Sequence, residues 1–351
     1  MLMSPKTGAK HSRRHWAFLQ PDDRMRRGRL LATTLILALG CDKARQLAAG
    51  SGDEQPAAAE RQDAPAAQLD LSSRPDILFQ VYGERDDPRM IPIGVLRNGK
   101  IEQIELGASG WKQFDAVYGK AGARYTLFDD GRAVGHAVVR RGMWSDGKDP
   151  LYTLPNCDLM IPQAAATLDA HTRPGYTVSL FATTRPTHDA PVTQMAQGEV
   201  DRIARDVVAS VAHTAGISEA ALRGLDLRAV AVNTGVSRSP SIVVSMLDPR
   251  ADEQSSAHEA TVHLFVVADR VGEGAEYKPT YSHVVDGDAA SGDFERFIDH
   301  LDIAGDGTTE LALEGWRFGG DTFLMFLQYK NGAWSELFRG RSNWCLDATS
   351  R

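Results

Sequence analysis

From Pro75 onward the chain alternates apolar and polar positions in short runs. Ile77-Leu78-Phe79-Gln80-Val81-Tyr82 is rich in β-formers, and Ile91, Ile93 and Val95 alternate with their neighbours. Asn98-Gly99 then turns the chain before Ile101 to Leu106 returns, which is a strong hairpin signal. Ser109 is placed to cap a short helix with Trp111, Phe114 and Val117/Tyr118 on one face. A second hairpin runs from Tyr125 to Phe128, through Asp129-Asp130-Gly131, to Ala133–Val139. Tyr176 to Thr183 reads as a further strand.

After a polar stretch with Pro186 and Pro191, the period changes. Val200, Ile203, Val207, Val208 and Val211 fall on one helical face, and Gly216 suits the end. Ser218 opens a short helix reaching Leu225. Strands are expected at Ala229–Val232, Ser241–Leu247, Thr261–Val267 and Ser282–Val285. Leu311-Ala312-Leu313 leads to Trp316, and Asp321–Tyr329 is apolar on both faces, as a central strand must be. Lys330-Asn331-Gly332 turns into Ala333–Phe338. The expectation is an α+β fold: mostly antiparallel β hairpins with a few short helices. Two small domains are expected, residues 76–185 and 198–351, joined by a linker at 186–197.

The N-terminus reads as an address. Arg26, Arg27 and Arg29 precede an apolar run from Leu30 to Leu39, followed by Gly40 and Cys41. A basic segment, a short apolar segment and a small residue are the parts of a secretory signal. A run of ten residues falls short of the roughly 18 a membrane-spanning helix needs. Leu37-Ala38-Leu39-Gly40-Cys41 resembles the lipobox of bacterial lipoproteins, although Ala38 departs from the leucine most often found there. That resemblance implies cleavage after residue 40, lipidation of Cys41 and attachment to a membrane. Residues 1–24 are polar, and Met25 is the better placed start. Asp42 resembles an inner-membrane retention signal in lipoproteins of enteric type. Residues 42–75 are rich in Ala, Gln, Asp and Pro and lack aromatics, so they read as a disordered tether. The location implied is the bacterial cell envelope, facing the periplasm.

Composition supports this picture. Of 351 residues, 42% are hydrophobic and 24% charged, which is ordinary for a globular protein. Residues 1–40 hold 8 of the 39 Lys+Arg and 2 of the 46 Asp+Glu, so the formal charge of -7 becomes -13 from Cys41 onward. No basic footprint for nucleic acid is present. With Cys41 lipidated, Cys157 and Cys345 remain as an even pair. An exported compartment permits a disulfide between them. Two separate buried thiols are the alternative.

One loop carries candidate metal ligands. Asp302-Ile303-Ala304-Gly305-Asp306-Gly307-Thr308-Thr309-Glu310 offers oxygen ligands around turning glycines. It is no EF-hand, because Leu313 sits where that loop needs its bidentate glutamate. The segment resembles the Asp-rich turn of FG-GAP and VCBS-type repeats. Asp302, Asp306, Gly307 and Glu310 match, while Ala304 replaces the middle acidic ligand. The likeness implies calcium on Asp302, Asp306 and Glu310. The plainer reading is a tight turn held by Asx hydrogen bonds. A degenerate echo without the acids lies near Asn233–Val243.

The catalytic motifs are decoys. His258-Glu259-Ala260-Thr261-Val262-His263 spaces its histidines at i and i+5, whereas the zinc protease motif needs i and i+4. These histidines read as surface or strand-edge groups. Ser109…Lys112 and Ser145…Lys148 lack the companion motifs of penicillin-binding enzymes. Nucleophile elbow, phosphate loop, dinucleotide fingerprint and Cys-x-x-Cys are all absent. Trp111, Trp144, Trp316, Trp334 and Trp344 read as core in preference to sugar-stacking faces. The functional expectation is a non-catalytic binding module for an envelope protein or polymer. A structural envelope protein is the alternative, and a hydrolase with an acidic site ranks behind both.

Overall fold

A computed structural model describes residues 69–142, 159–160, 163–172, 177–185, 189, 193–248, 260–272, 275–289, 292–317, 322–341 and 345–346. All belong to the unit Gln68–Arg351. Its first part contains β1 (Asp76–Glu84), β2 (Arg89–Arg97), β3 (Lys100–Glu102), α1 (Ala108–Tyr118), β4 (Arg124–Asp129), β5 (Arg132–Arg141), β6 (Leu159–Met160), β7 (Ala164–Ala170) and β8 (Thr177–Thr183). Strands β1, β8, β4, β5, β7 and β2 pair in that order, and β2 pairs back with β1. The result is a closed six-stranded antiparallel barrel, with β3 added to β2. Closure removes the unpaired sheet edges that would otherwise invite association.

Alternation sorts the side chains of β1. Ile77, Phe79 and Val81 point into the barrel core, while Leu78 points outward. Helix α1 delivers Trp111, Phe114 and Tyr118 to the same core, where Phe79 meets Phe114, Tyr118 and Tyr125 at ring separations of 6.4, 6.3 and 5.0 Å. The two phenols satisfy their hydroxyls locally. Tyr118 donates to the Pro75 carbonyl and Tyr125 to the Tyr118 carbonyl, each at 2.7 Å. The cap of α1 is Gly107, two residues before the expected Ser109.

The second part contains α2 (Gln197–Ala215), α3 (Glu219–Leu222), β9 (Asp226–Val232), β10 (Ser241–Leu247), β11 (Ala260–Asp269) and β12 (Lys278–Asp288). The four strands form a meander in the order β12-β11-β10-β9. Helix α2 ends as the sequence reading expects, on Gly216 in the left-handed region. Its Val200, Ile203, Val207, Val208 and Val211 pack on Ile242, Val244, Leu264 and Val266 of that sheet. The third part is another meander: β13 (Phe294–Leu301), β14 (Glu310–Trp316), β15 (Thr322–Lys330) and β16 (Ala333–Arg341). A last short strand, β17 (Cys345–Leu346), pairs with β6.

Strand β15 shows how the layers stack. Phe323, Met325 and Leu327 face one way and join Val243, Phe265 and Val267 of the second sheet. Leu324 and Phe326 face the other way and join Leu78, Leu96 and Phe181 on the outside of the barrel. The order of layers is therefore helix α2, sheet β9–β12, sheet β13–β16, barrel. A strand buried on both faces must be apolar at every position, which is why this run lacks the usual alternation.

The expected α+β class is corrected to a β-rich fold. Among the described residues, strands outweigh helices about three to one, at 53% against 17%. The few helices are covers for sheets. Two unread strands, β7 and β13, complete the barrel and the third sheet. Among the described residues, no helix is long and apolar enough to cross a membrane.

Candidate functional site

The Asp302–Glu310 loop joins β13 to β14 and is built from its own carboxylates. Asp302 is buried, and its Oδ1 accepts the Gly305 and Asp306 amides at 2.6 and 3.1 Å. Its Oδ2 accepts the Gly307 amide at 3.0 Å. Gly305 and Gly307 have φ of +76° and +87°, where a Cβ would strain the backbone. Asp306 Oδ1 accepts the Thr308 amide at 2.9 Å. Glu310 Oε2 accepts the Ile303 amide at 2.7 Å. Burial, reinforced by the charges of Asp302 and Asp306, pushes the Glu310 carboxyl up to about 8, against the pull of the Ile303 amide.

Neighbouring segments hold this loop in place. The Thr309 amide donates to the Thr234 carbonyl at 2.8 Å, and Arg185 Nη2 donates to the Ile303 carbonyl. A Cβ on Gly235 would lie 2.3 Å from the Gly307 carbonyl oxygen, so the approach requires glycine. The acid-free echo after β9 thus packs against the acidic loop. The candidate ligands Asp302, Asp306 and Glu310 share one loop, with backbone amides on all three carboxylates. Among the described residues, no three His, Cys, Asp or Glu side chains are grouped to hold a metal ion.

Beside this loop lies a set with the residue types of a nucleophile, a base and an acid. His300 Nδ1 meets Thr309 Oγ1 at 2.9 Å, and Nε2 lies 3.7 Å from Asp130 Oδ1. Both Thr309 and His300 are almost fully buried, at 1% and 2% exposure. A nucleophile must reach a substrate, and this hydroxyl is sealed. The set serves packing instead. Asp299 Oδ1 accepts the Gly131 amide of the β4–β5 turn at 3.3 Å, tying the barrel to β13.

A second buried acid joins the two meanders. Asp269 accepts from Ser241 through Oδ1, and from Thr280 and from Trp334 Nε1 (2.7 Å) through Oδ2. Ser241 is also bonded to Thr234, at 2.6 Å. Four side chains from four segments thus converge on, or feed, one carboxylate, which gives its buried oxygens their hydrogen-bond partners.

The remaining polar cluster borders a cleft of ≈ 480 Å³ lined by His283, Asp286, Asp288, Asp293 and Arg317, with Val284, Val285 and Gly292. Arg317 holds Asp293 through both carboxylate oxygens, and Arg339 adds a bond at 3.0 Å. The Arg317 bond does most to hold the Asp293 carboxyl below its ordinary range. Behind the cleft, Glu295 is buried and accepts from the Tyr281 hydroxyl at 3.1 Å. Burial raises both the Glu295 carboxyl and the Tyr281 phenol above their ordinary values.

His263 sits deeper still, fully buried on an interior strand. The expectation of a surface or edge histidine is wrong for it. Nothing in the run around it marks burial, because the face it occupies follows from the register of β11. Trp111 and Trp334 are core, as expected, and Trp316 stacks on Phe294 at 5.6 Å. Cys41, Cys157, His258, Trp144, Trp344 and the Ser145…Lys148 string lie outside the described residues. Cys345 lies on β17, opposite Met160.

Comparison with known protein families, with curated proteins and with solved structures returned no match.

Proposed function

We propose that this chain is a lipid-anchored protein of the bacterial cell envelope whose β-rich part is a non-catalytic binding module. The observation that carries the reading is the segment from Arg26 through the apolar run Leu30–Leu39 to Gly40-Cys41. A lipid on Cys41 and the tether at 42–75 leave the folded part free to meet an envelope protein or polymer within reach of the membrane. Asp42 favours the inner membrane. Support for a non-catalytic role comes from how the buried polar groups are used. Asp302, Asp269 and His263 are each engaged by hydrogen bonds that hold loops or sheets together.

Two finer statements belong to the same proposal. The Cys157–Cys345 disulfide rests on the even pair of cysteines that remains once Cys41 is lipidated. Calcium on the Asp302–Glu310 loop rests on the likeness to the FG-GAP turn. A purely structural envelope role is the second reading. It is favoured by the scarcity of exposed large hydrophobics among the described residues, where Val230 and Val271 are the examples.

The test is a C-terminal tag in the native bacterium, gentle crosslinking and identification of partners from detergent-solubilised envelope. A recurrent envelope partner, lost when residues 196–351 are deleted, is the expected result. Its absence would favour the structural reading.

A further inference from the structure

One of the ties between the second and third sheets is an imidazole. His263 projects from β11 towards the third sheet, and its Nδ1 lies 3.0 Å from the Met246 carbonyl of β10. Its Nε2 lies 3.1 Å from the backbone amide of Glu295, on β13. A carbonyl only accepts and an amide only donates, so the ring is the neutral tautomer with its proton on Nδ1. β13 is the edge strand of its sheet, and the Glu295 amide is one of the donors along that edge. A proton added to Nε2 would face this N–H, donor against donor.

We propose that His263 is an acid-operated latch: neutral, it ties β10 and β11 to the edge of β13; protonated, it releases that edge beside the polar cleft. The surroundings favour the neutral ring. The site is fully buried, with Phe294 5.4 Å away and His283 of β12 6.4 Å away. The charged groups beside the joint and around the adjoining cleft are Glu295 and Asp293 on the β13 side, Asp286 and Asp288 on β12, Arg317 after β14 and Arg339 on β16. Burial, seconded by His283, lowers the ring to about 4. A histidine depressed in the folded state gives stability that is present above the ordinary value of 6.5 and is lost as pH falls through about 4. In that window the ratio of open to latched joint rises about tenfold per pH unit.

Hydrogen exchange of the full-length chain in detergent tests this, read on peptides covering Phe294–Leu301 and corrected for intrinsic rates. Protection of β13 is expected to fall about tenfold per unit below pH 6.5, while interior β15 stays protected. His263→Gln keeps an acceptor for the Glu295 amide but cannot gain a proton, so its β13 protection stays flat. Glu295→Gln and His283→Gln keep the wild-type slope. The proposal is overturned if the wild type shows no slope, if His263→Gln shares it, if either control variant abolishes it, or if β15 opens in step. Should His263→Gln fail to fold, nitrogen NMR of labelled histidine in the wild type decides. An unprotonated Nε2 at pH 7 that titrates well below the ordinary range supports the latch, and a proton on Nε2 or an ordinary titration overturns it.

Discussion

Glu310 is the buried acid whose removal should make this protein more stable. It is 5% exposed and its carboxyl is pushed from 4.5 to about 8, mainly by burial and then by Asp302 and Asp306. The folded chain therefore keeps a proton that the unfolded chain gives up from about pH 4.5 upward. Stability from this group is complete below 4.5 and is lost as pH rises through about 8. The slope is about 1.4 kcal/mol per pH unit, so the loss at pH 7 is about 3 kcal/mol. Glu310→Gln cannot ionise and still presents a carbonyl oxygen to the Ile303 amide. Urea unfolding followed by tryptophan fluorescence, in chelator, should show the variant gaining on the wild type steadily between pH 4.5 and 8. The difference between the two proteins isolates Glu310, because the opposite slope from His263 is common to both. A difference that is flat with pH, or a variant that loses ground as pH rises, would show that Glu310 is not held protonated by the fold.

Other outcomes follow from the same contacts. Asp302→Ala removes the acceptor for three backbone amides in a loop held by neighbours and should cost about 3 kcal/mol in chemical denaturation. Trp334→Phe removes one donor from buried Asp269 and should cost about 1.5–3 kcal/mol, with the far-ultraviolet spectrum unchanged. Phe326→Ala opens a cavity between the third sheet and the barrel and should cost about 3–5 kcal/mol. If calcium binds the Asp302–Glu310 loop, millimolar calcium raises the melting temperature, chelator lowers it and Asp306→Ala removes the difference. An unmoved melting temperature in the wild type sinks the calcium reading.

The elements legible in the sequence are those whose local pattern and tertiary role agree. The Asn98-Gly99 and Asp130-Gly131 turns place both residues at positive φ, which those residue types tolerate and most others do not. Val200 to Val211 marks the buried face of α2, and the unbroken apolar run of β15 announces burial on both sides. Of the strands that escape, β7 and β13 do so for different reasons. β7 begins with three alanines, which carry little β preference. In β13, Phe294, Phe297, Ile298 and Leu301 recur at helical spacing, and a register shift between Phe297 and Asp299 lets such a pattern serve a strand. Reading too few strands is what made the class look α+β.

The acidic loop was visible because its aspartates and glycines define their own turn. The Asp269 junction, the Asp299 tie to the barrel and the His263 joint were not. Each depends on which strand lies opposite, and a single histidine in a run of valines and leucines carries no sign of its partner. His263 differs from an edge histidine only in that β11 has neighbours on both sides and a third sheet across its face.

On the function proposed above, Cys41 carries lipid and holds this chain in the cell envelope. Metabolic labelling of the native bacterium with a tagged palmitate, followed by purification through a C-terminal tag, tests it directly. Label is expected on the wild-type chain, with none on Cys41→Ala and a mature N-terminus at residue 41. An unlabelled wild-type chain, or label that survives Cys41→Ala, would contradict it.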